Sequence, residues 1–169
     1  GAAGHVYGAA GVWQFYDPQA PVGIGADRTN SRPWHGQSWR EALDYAGGKQ
    51  LAHLLAFFRA LPWHRLEPHR EWLRVRGVPA DIQSLTDPHC AAIPGEVVVV
   101  YIPAGNSGKR IEILHVGDRD YVAQWYDPRS GAYTPASDRP IRGDRRDGAW
   151  RAPSVYRHSD WVLLLTAAN

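Results

Sequence analysis

The sequence predicts an α/β segment to about residue 76 and an all-β domain of antiparallel strands after it. Three observations carry this. A short apolar run, GVWQF at 11–15, is followed by a long irregular loop and then by a helical pattern. Four β-rich runs then follow, at 96–103, 110–116, 121–128 and 161–167. Turn chemistry separates the first three of them (AGNSGK, GDRD), and DPRSG closes the third.

GVWQF reads as a strand. From Tyr16 to Gln37 the apolar period dissolves into Asp17-Pro18, Pro21, Gly23, Gly25, Asn30 and Pro33. Loops of that length in compact domains tend to carry function. Ser38 followed three positions later by Glu41 is a capping box, so a helix starts there. Gly47-Gly48 interrupts the pattern, and a stronger helix is expected from about Lys49 to Ala60. Leu51, Leu54, Leu55 and Phe58 form its apolar stripe. Pro62 stops it, and Trp63 to Arg76 reads as a connector. The β runs have no helical period, which means an antiparallel sandwich or a small barrel. In YVAQWYDPRSGAY a strand, a turn and the next strand follow one another. Trp125 and Tyr126 should point to opposite faces, one into the core and the other outward or against the preceding segment.

Bulk composition narrows the function classes. Hydrophobic residues at 44% and charged residues at 21% are ordinary globular values. No apolar run is long enough to span a bilayer, and no charged-then-apolar leader opens the chain. A formal charge of +2 argues for neither nucleic acid nor an anionic membrane as partner. Cys90 is the single cysteine, so no internal disulfide forms; a buried, inert thiol on a strand is expected. The absence of Met leads us to expect an excerpt or a processed product of something longer. No HExxH, no paired Cys/His spacing and no Gly-rich phosphate loop occurs, so neither a metal nor a cofactor is expected. Eight Trp and eight Tyr suit sugar binding, because flat rings stack on the C–H faces of pyranoses; they suit a core equally.

The motifs GAAGHVYGAAGVWQ, SWREALDYAGGKQLAHLLAFF, LPWHRLEPH, VVYIPAG, AQWYDPRSGAY and DWVLLL, in that order, resemble bacterial apiosidase-like glycoside hydrolases. Those enzymes have a (β/α)8 barrel followed by a β-sandwich that carries a collagen-binding label. The resemblance implies that residues 1–76 are the C-terminal segment of such a barrel and 77–169 the accessory sandwich. A whole barrel needs roughly 250 residues, so most of it would be the missing N-terminal portion, expected as a partner. A carbohydrate substrate and an extracellular or periplasmic home are expected with it.

Glycoside hydrolysis needs two carboxyl groups flanking the scissile bond. The acids before residue 77 are Asp17, Asp27, Glu41, Asp44, Glu67 and Glu71. By the resemblance the catalytic pair lies upstream, so none of these is assigned as catalytic. His5, Tyr7, Trp13, Gln14, Asp17 and Trp34 are the candidate substrate-binding residues: imidazole, phenol, amide and carboxylate for sugar hydroxyls, indoles for stacking. Packing for Trp13 and turn-opening for Asp17 are the competing roles. The alternative function is a non-catalytic carbohydrate- or protein-binding sandwich. A third reading is a piece matured by cleavage that stays bound to its N-terminal half.

Overall fold

The computed structural model describes residues 5, 7–9, 11, 12, 15, 17, 19, 38–79, 84, 86–106, 108–144, 146–154 and 158–168. The chain divides into two compact units, residues 2–56 and 57–169.

In the first unit Gly11 and Val12 are helical rather than extended. Phe15 closes a turn, with its N–H 3.2 Å from the carbonyl of Val12 and φ at 47°. The described residues of the strand expected at 11–15, Gly11, Val12 and Phe15, are therefore not extended; the other two lie outside the described residues. A five-residue apolar run has no decisive period. The capping box at Ser38 is present as expected. Glu41 N–H donates to Ser38 Oγ (3.3 Å) and Ser38 N–H to Glu41 Oε2 (2.7 Å). It opens only one turn, α1 (Trp39–Ala42).

The main helix, α2 (Ala46–Arg59), starts before the glycine pair and contains it. Its buried side is not the Leu51/Leu54/Leu55/Phe58 stripe. Leu54, Leu55 and Phe58 are exposed, while Phe57 is 3% exposed. Phe57 stands next to the stripe, about 100° round the helix. Its ring lies 4.7 Å from that of Tyr126 and 6.5 Å from that of Tyr133.

The second unit is an antiparallel two-sheet domain with a shared core. Among the described residues nine strands make it: β1 (Glu67–Pro68), β2 (Leu73–Val75), β3 (His89–Ile93), β4 (Val97–Ile102), β5 (Ile111–Ile113), β6 (Tyr121–Asp127), β7 (Ala132–Pro135), β8 (Trp150–Arg151) and β9 (Trp161–Ala167). Six form one sheet in the order β1-β3-β4-β9-β6-β7; three form the other, β2-β5-β8. The segment read as a connector supplies β1 and β2, an edge strand for each sheet. They were missed because two or three residues hold no readable period.

The inner core lies between the sheets. Val98, Val100, Leu163 and Leu165 from the large sheet meet Val75, Ile111 and Ile113 from the small one. The large sheet is also covered outside, where Ile93, Val97, Val99, Tyr126, Val162 and Leu164 pack with Phe57, Leu61 and Leu66. This is why VVVVYI and WVLLL read as continuous apolar runs: strands buried on both faces do not alternate. Trp125 and Tyr126 do point to opposite faces, and both are buried: Trp125 belongs to the inner core, Tyr126 to the outer. The β6–β7 turn closes by a bond from Gly131 N–H to the Asp127 carbonyl (2.8 Å), with Gly131 at φ 74°.

Burying one Phe is worth about 1.5–3 kcal/mol, and truncation to Ala adds the cost of the cavity. Phe57→Ala should therefore destabilise the chain by about 3–5 kcal/mol. Leu55→Ala, on the exposed side, should cost under about 1 kcal/mol. Urea denaturation of both variants checks this. Equal losses would mean that the helix turns a different side inward.

Candidate functional site

Of the six candidate sugar-binding residues, three fall among the described ones: His5, Tyr7 and Asp17. Trp13, Gln14 and Trp34 lie outside them. His5 is exposed. Tyr7 is 41% exposed and rests one side of its ring on the start of α2. A Cβ on Gly47 would sit 3.1 Å from Tyr7 Oη, and one on Gly48 3.7 Å from its Cε1. The glycine pair thus has a packing role. It costs the helix up to about 1 kcal/mol per residue relative to alanine, and Gly47 leaves room for the phenol.

Asp17 is tied down. Its Oδ2 accepts from the Arg40 guanidinium at 2.7 Å and its Oδ1 from the Gln19 N–H at 3.0 Å. These bonds, the Gln19 one first, hold its carboxyl below the usual range. Asp17 is therefore ionised at neutral pH. It can accept a hydrogen bond from a sugar hydroxyl, but it is no proton donor to a leaving group, which must carry its proton at working pH. Glu41 is likewise held low by Ser38, backbone bond first. Nothing among these carboxylates has the raised pKa of a glycosidase acid.

The second unit contains a cluster that the sequence reading did not assemble. His69 Nδ1 lies 2.8 Å from Glu71 Oε1, and the imidazole lies 4.7 Å from the Trp72 ring. The bond from His69 is the first cause of a lowered Glu71 pKa. A carboxylate orienting an imidazole is base-like geometry. Here, however, His69 Nε2 is shut off from solvent and has no hydrogen-bond partner among the described residues, so no substrate reaches it. Cys90, on the neighbouring strand, is buried, and burial pushes its thiol up to about 12. This thiol is not a nucleophile at neutral pH. Among the described residues no group of three or more His, Cys, Asp or Glu gathers to hold a metal ion, and no helix is long and apolar enough to cross a membrane.

A charged ladder crosses the outer side of the small sheet. Arg74 on β2 faces Glu112 on β5, which faces Arg151 on β8. Glu112 Oε2 accepts from Arg74 at 3.0 Å, and Oε1 pairs with Arg110 at 3.0 Å and lies 3.6 Å from Arg151. Arg74, Glu112 and Arg151 come from three strands far apart in the chain. The only trace of the ladder in the sequence is a charged residue beside inward apolar ones on each of three short strands.

Among the described residues the leading unit is helical and the second is a two-sheet antiparallel domain. The family comparisons place these two units. Residues 78–166 match the family described as "Putative collagen-binding domain of a collagenase", and the chain belongs to that family. Residues 1–65 match the model described as "Apiosidase-like, catalytic domain". These matches relate the chain to glycoside hydrolases. No curated protein matches it. Among solved structures it is similar to one described as a glycoside hydrolase, at 19% identity and a TM-score of 0.66, covering 96% of this chain and 33% of that one. It is also similar to a glycoside hydrolase family 5 protein from Bacteroides vulgatus, at 19% identity and a TM-score of 0.68, covering 96% and 32%. The chain spans about a third of the length of these solved structures.

Two outcomes test the local geometry. Gly48→Ala should raise stability by about 0.5–1 kcal/mol, because Tyr7 is at ordinary contact distance and the helix gains. Gly47→Ala should gain less, since the phenol must shift; thermal melts compare the two. Cys90 should resist thiol reagents at pH 8 in the native chain and react once urea unfolds it. Fast native labelling would contradict the burial.

Proposed function

We propose that the chain is the C-terminal part of a glycoside hydrolase acting on plant or microbial polysaccharide glycosides. Residues 1–76 are the closing segment of a (β/α)8 barrel and form one wall of its sugar pocket. Residues 77–169 are an accessory β-sandwich. The observation that carries this is the succession along one chain of an apiosidase-like catalytic match at 1–65 and an accessory-domain match at 78–166. Similarity to glycoside hydrolases about three times as long supports it.

The proposal accounts for two features. Leu54, Leu55 and Phe58 are exposed together on α2. We assign the missing N-terminal barrel portion as the partner that covers them. Asp17 is ionised and paired, so it binds rather than protonates; the two catalytic carboxylates belong to that portion. His5, Tyr7, Trp13, Gln14 and Trp34 then serve as hydrogen-bonding and stacking groups for the sugar. Such an enzyme works outside the cytoplasm, in the periplasm or beyond the cell.

A second reading, a non-catalytic binding module, is favoured by one fact. The two-sheet unit closes its own core between its sheets and covers the outer face of the large one. Residues 57–169 suffice to do so.

The deciding experiment joins this chain to an apiosidase-like N-terminal barrel portion and assays glycoside hydrolysis. Activity is expected only in the joined protein. In it, His5→Ala and Trp13→Ala should each raise KM or lower kcat by about tenfold, the loss of one good polar or stacking contact of ~1.4 kcal/mol. Unchanged kinetics in both would reject the pocket assignment. Activity that survives loss of residues 1–76 would reject the barrel role.

A further inference from the structure

A cleft of about 350 Å³ opens on the outer side of the small sheet. Its lining includes Arg74, Glu112, Asp144, Arg146, Asp147 and Arg151. That volume lies at the small end of ligand pockets, roughly 300–1,000 Å³, with room for a short stretch of a polar chain.

The walls are fixed. Arg74, Glu112 and Arg151 stand side by side on β2, β5 and β8 in register. The facing rim is a hydrogen-bonded loop. Asp144 N–H donates to Ala149 O at 2.7 Å, Gly148 N–H to Asp144 O at 2.8 Å, and Gly143 N–H to Gly117 O at 2.8 Å. Gly143 has no room for a side chain: a Cβ there would run into the carbonyls of Gly148 and Gly117. The backbone is set before binding, and the ordering cost falls on the long Arg side chains.

Among the described lining residues three guanidinium groups stand beside three carboxylates, so their charges balance. That disfavours a polyanion, whose successive phosphates would be pressed against Asp144 and Asp147. What the cleft offers is unused capacity of both kinds. The guanidinium of Arg146 makes no hydrogen bond or ion pair to any described residue, while its backbone N–H is held by Asp144 Oδ1 at 2.7 Å. Arg151 lies 3.6 Å from Glu112, and Arg74 lies 3.9 Å from Asp147, both beyond good hydrogen-bond distance. Asp144 and Asp147 each spend Oδ1 on a backbone N–H; among the described residues Asp147 Oδ2 has only the distant Arg74. Five-donor guanidinium groups interleaved with acceptor-only carboxylates complement a group that both donates and accepts, and the hydroxyl is that group.

We infer that this cleft binds a neutral polyhydroxylated ligand, a short segment of an uncharged oligosaccharide, through paired Arg and Asp contacts to neighbouring hydroxyls. The choice of a sugar as the hydroxyl carrier rests on the glycoside hydrolase reading. The donor and acceptor arrangement does not. With no aromatic ring among the described lining residues, affinity is modest and specificity comes from hydrogen bonds.

The full chain is titrated, with amide NMR as readout, against neutral cello-, xylo-, arabino- and galacto-oligosaccharides, and against an oligogalacturonide as the charged counterpart. At least one neutral oligosaccharide should shift residues 74, 112 and 144–151 saturably, with Kd on the order of 1 mM. It should do so almost independently of salt. Arg146→Ala and Asp147→Asn, both surface changes, should each weaken it about fivefold or more at unchanged Tm. Three results overturn the inference: no saturable shift with any neutral oligosaccharide, tighter and steeply salt-dependent binding of the oligogalacturonide, or unaltered affinity in both variants. None of these touches the glycosidase assay above, so failure here is distinguishable from failure of that reading.

Discussion

Strands β4 and β9 lie side by side with apolar residues on both of their faces, and the rest of the domain is arranged to keep water off them. Val97 to Val100 and Val162 to Leu165 are all buried, with register from Val97–Thr166 to Ile102–Trp161. Strands of this kind need two covers. The small sheet supplies one, and Phe57, Leu61 and Leu66 supply the other. The hydrophobic effect favours this at about 25 cal/mol per Å² of apolar surface removed from water. It accounts for the segment from Phe57 onward grouping with the β domain rather than with the residues before it.

With the central strands claiming the apolar residues, function is left to the periphery. Charged side chains concentrate on the outer side of the three-stranded sheet. There β2, β5 and β8 are only two or three residues long, and each turns a charged residue away from the core. In the leading segment Tyr7 and the glycine pair of α2 pack on one another, and Arg40 holds Asp17. Several carboxylates among the described residues are occupied: Asp17 by Arg40, Glu96 by Arg65, Asp120 by Arg142, Asp127 by Arg129. An acid held by a guanidinium stays ionised, and that is the wrong state for delivering a proton.

Much of the β domain was legible in the sequence because its main strands are long and its turns carry distinctive residues. The runs at 96–103 and 121–128 lie over β4 and β6, and DPRSG marks the turn to β7. The capping box was legible because two side chains at fixed spacing have one geometric use. The buried side of α2 was not. The best apolar stripe and the side that meets Tyr126 differ by one residue, and only tertiary contact separates Phe57 from Phe58. The glycine pair misled in the same way: its cost to the helix is visible in sequence, while the ring of Tyr7 that packs close to Gly47 is forty residues upstream. The site fared worst. The Arg74–Glu112–Arg151 ladder joins three strands by register, which no linear spacing reveals. Of the six candidate sugar contacts, three lie outside the described residues.

The run VVVVYI has one more consequence. Six residues of high β-propensity without a charge are the composition that stacks into intermolecular sheets when left unpaired. In the folded domain β3 and β9 flank it on both edges. During synthesis, however, β9 emerges last among the strands, so β4 spends an interval with one edge open. Pro94 and Pro103 bracket the run. Proline has no N–H to offer a growing ladder, and flanking positions of this kind act as gatekeepers against self-association. The two prolines thus guard the nascent chain during the time that the finished fold does not yet protect it.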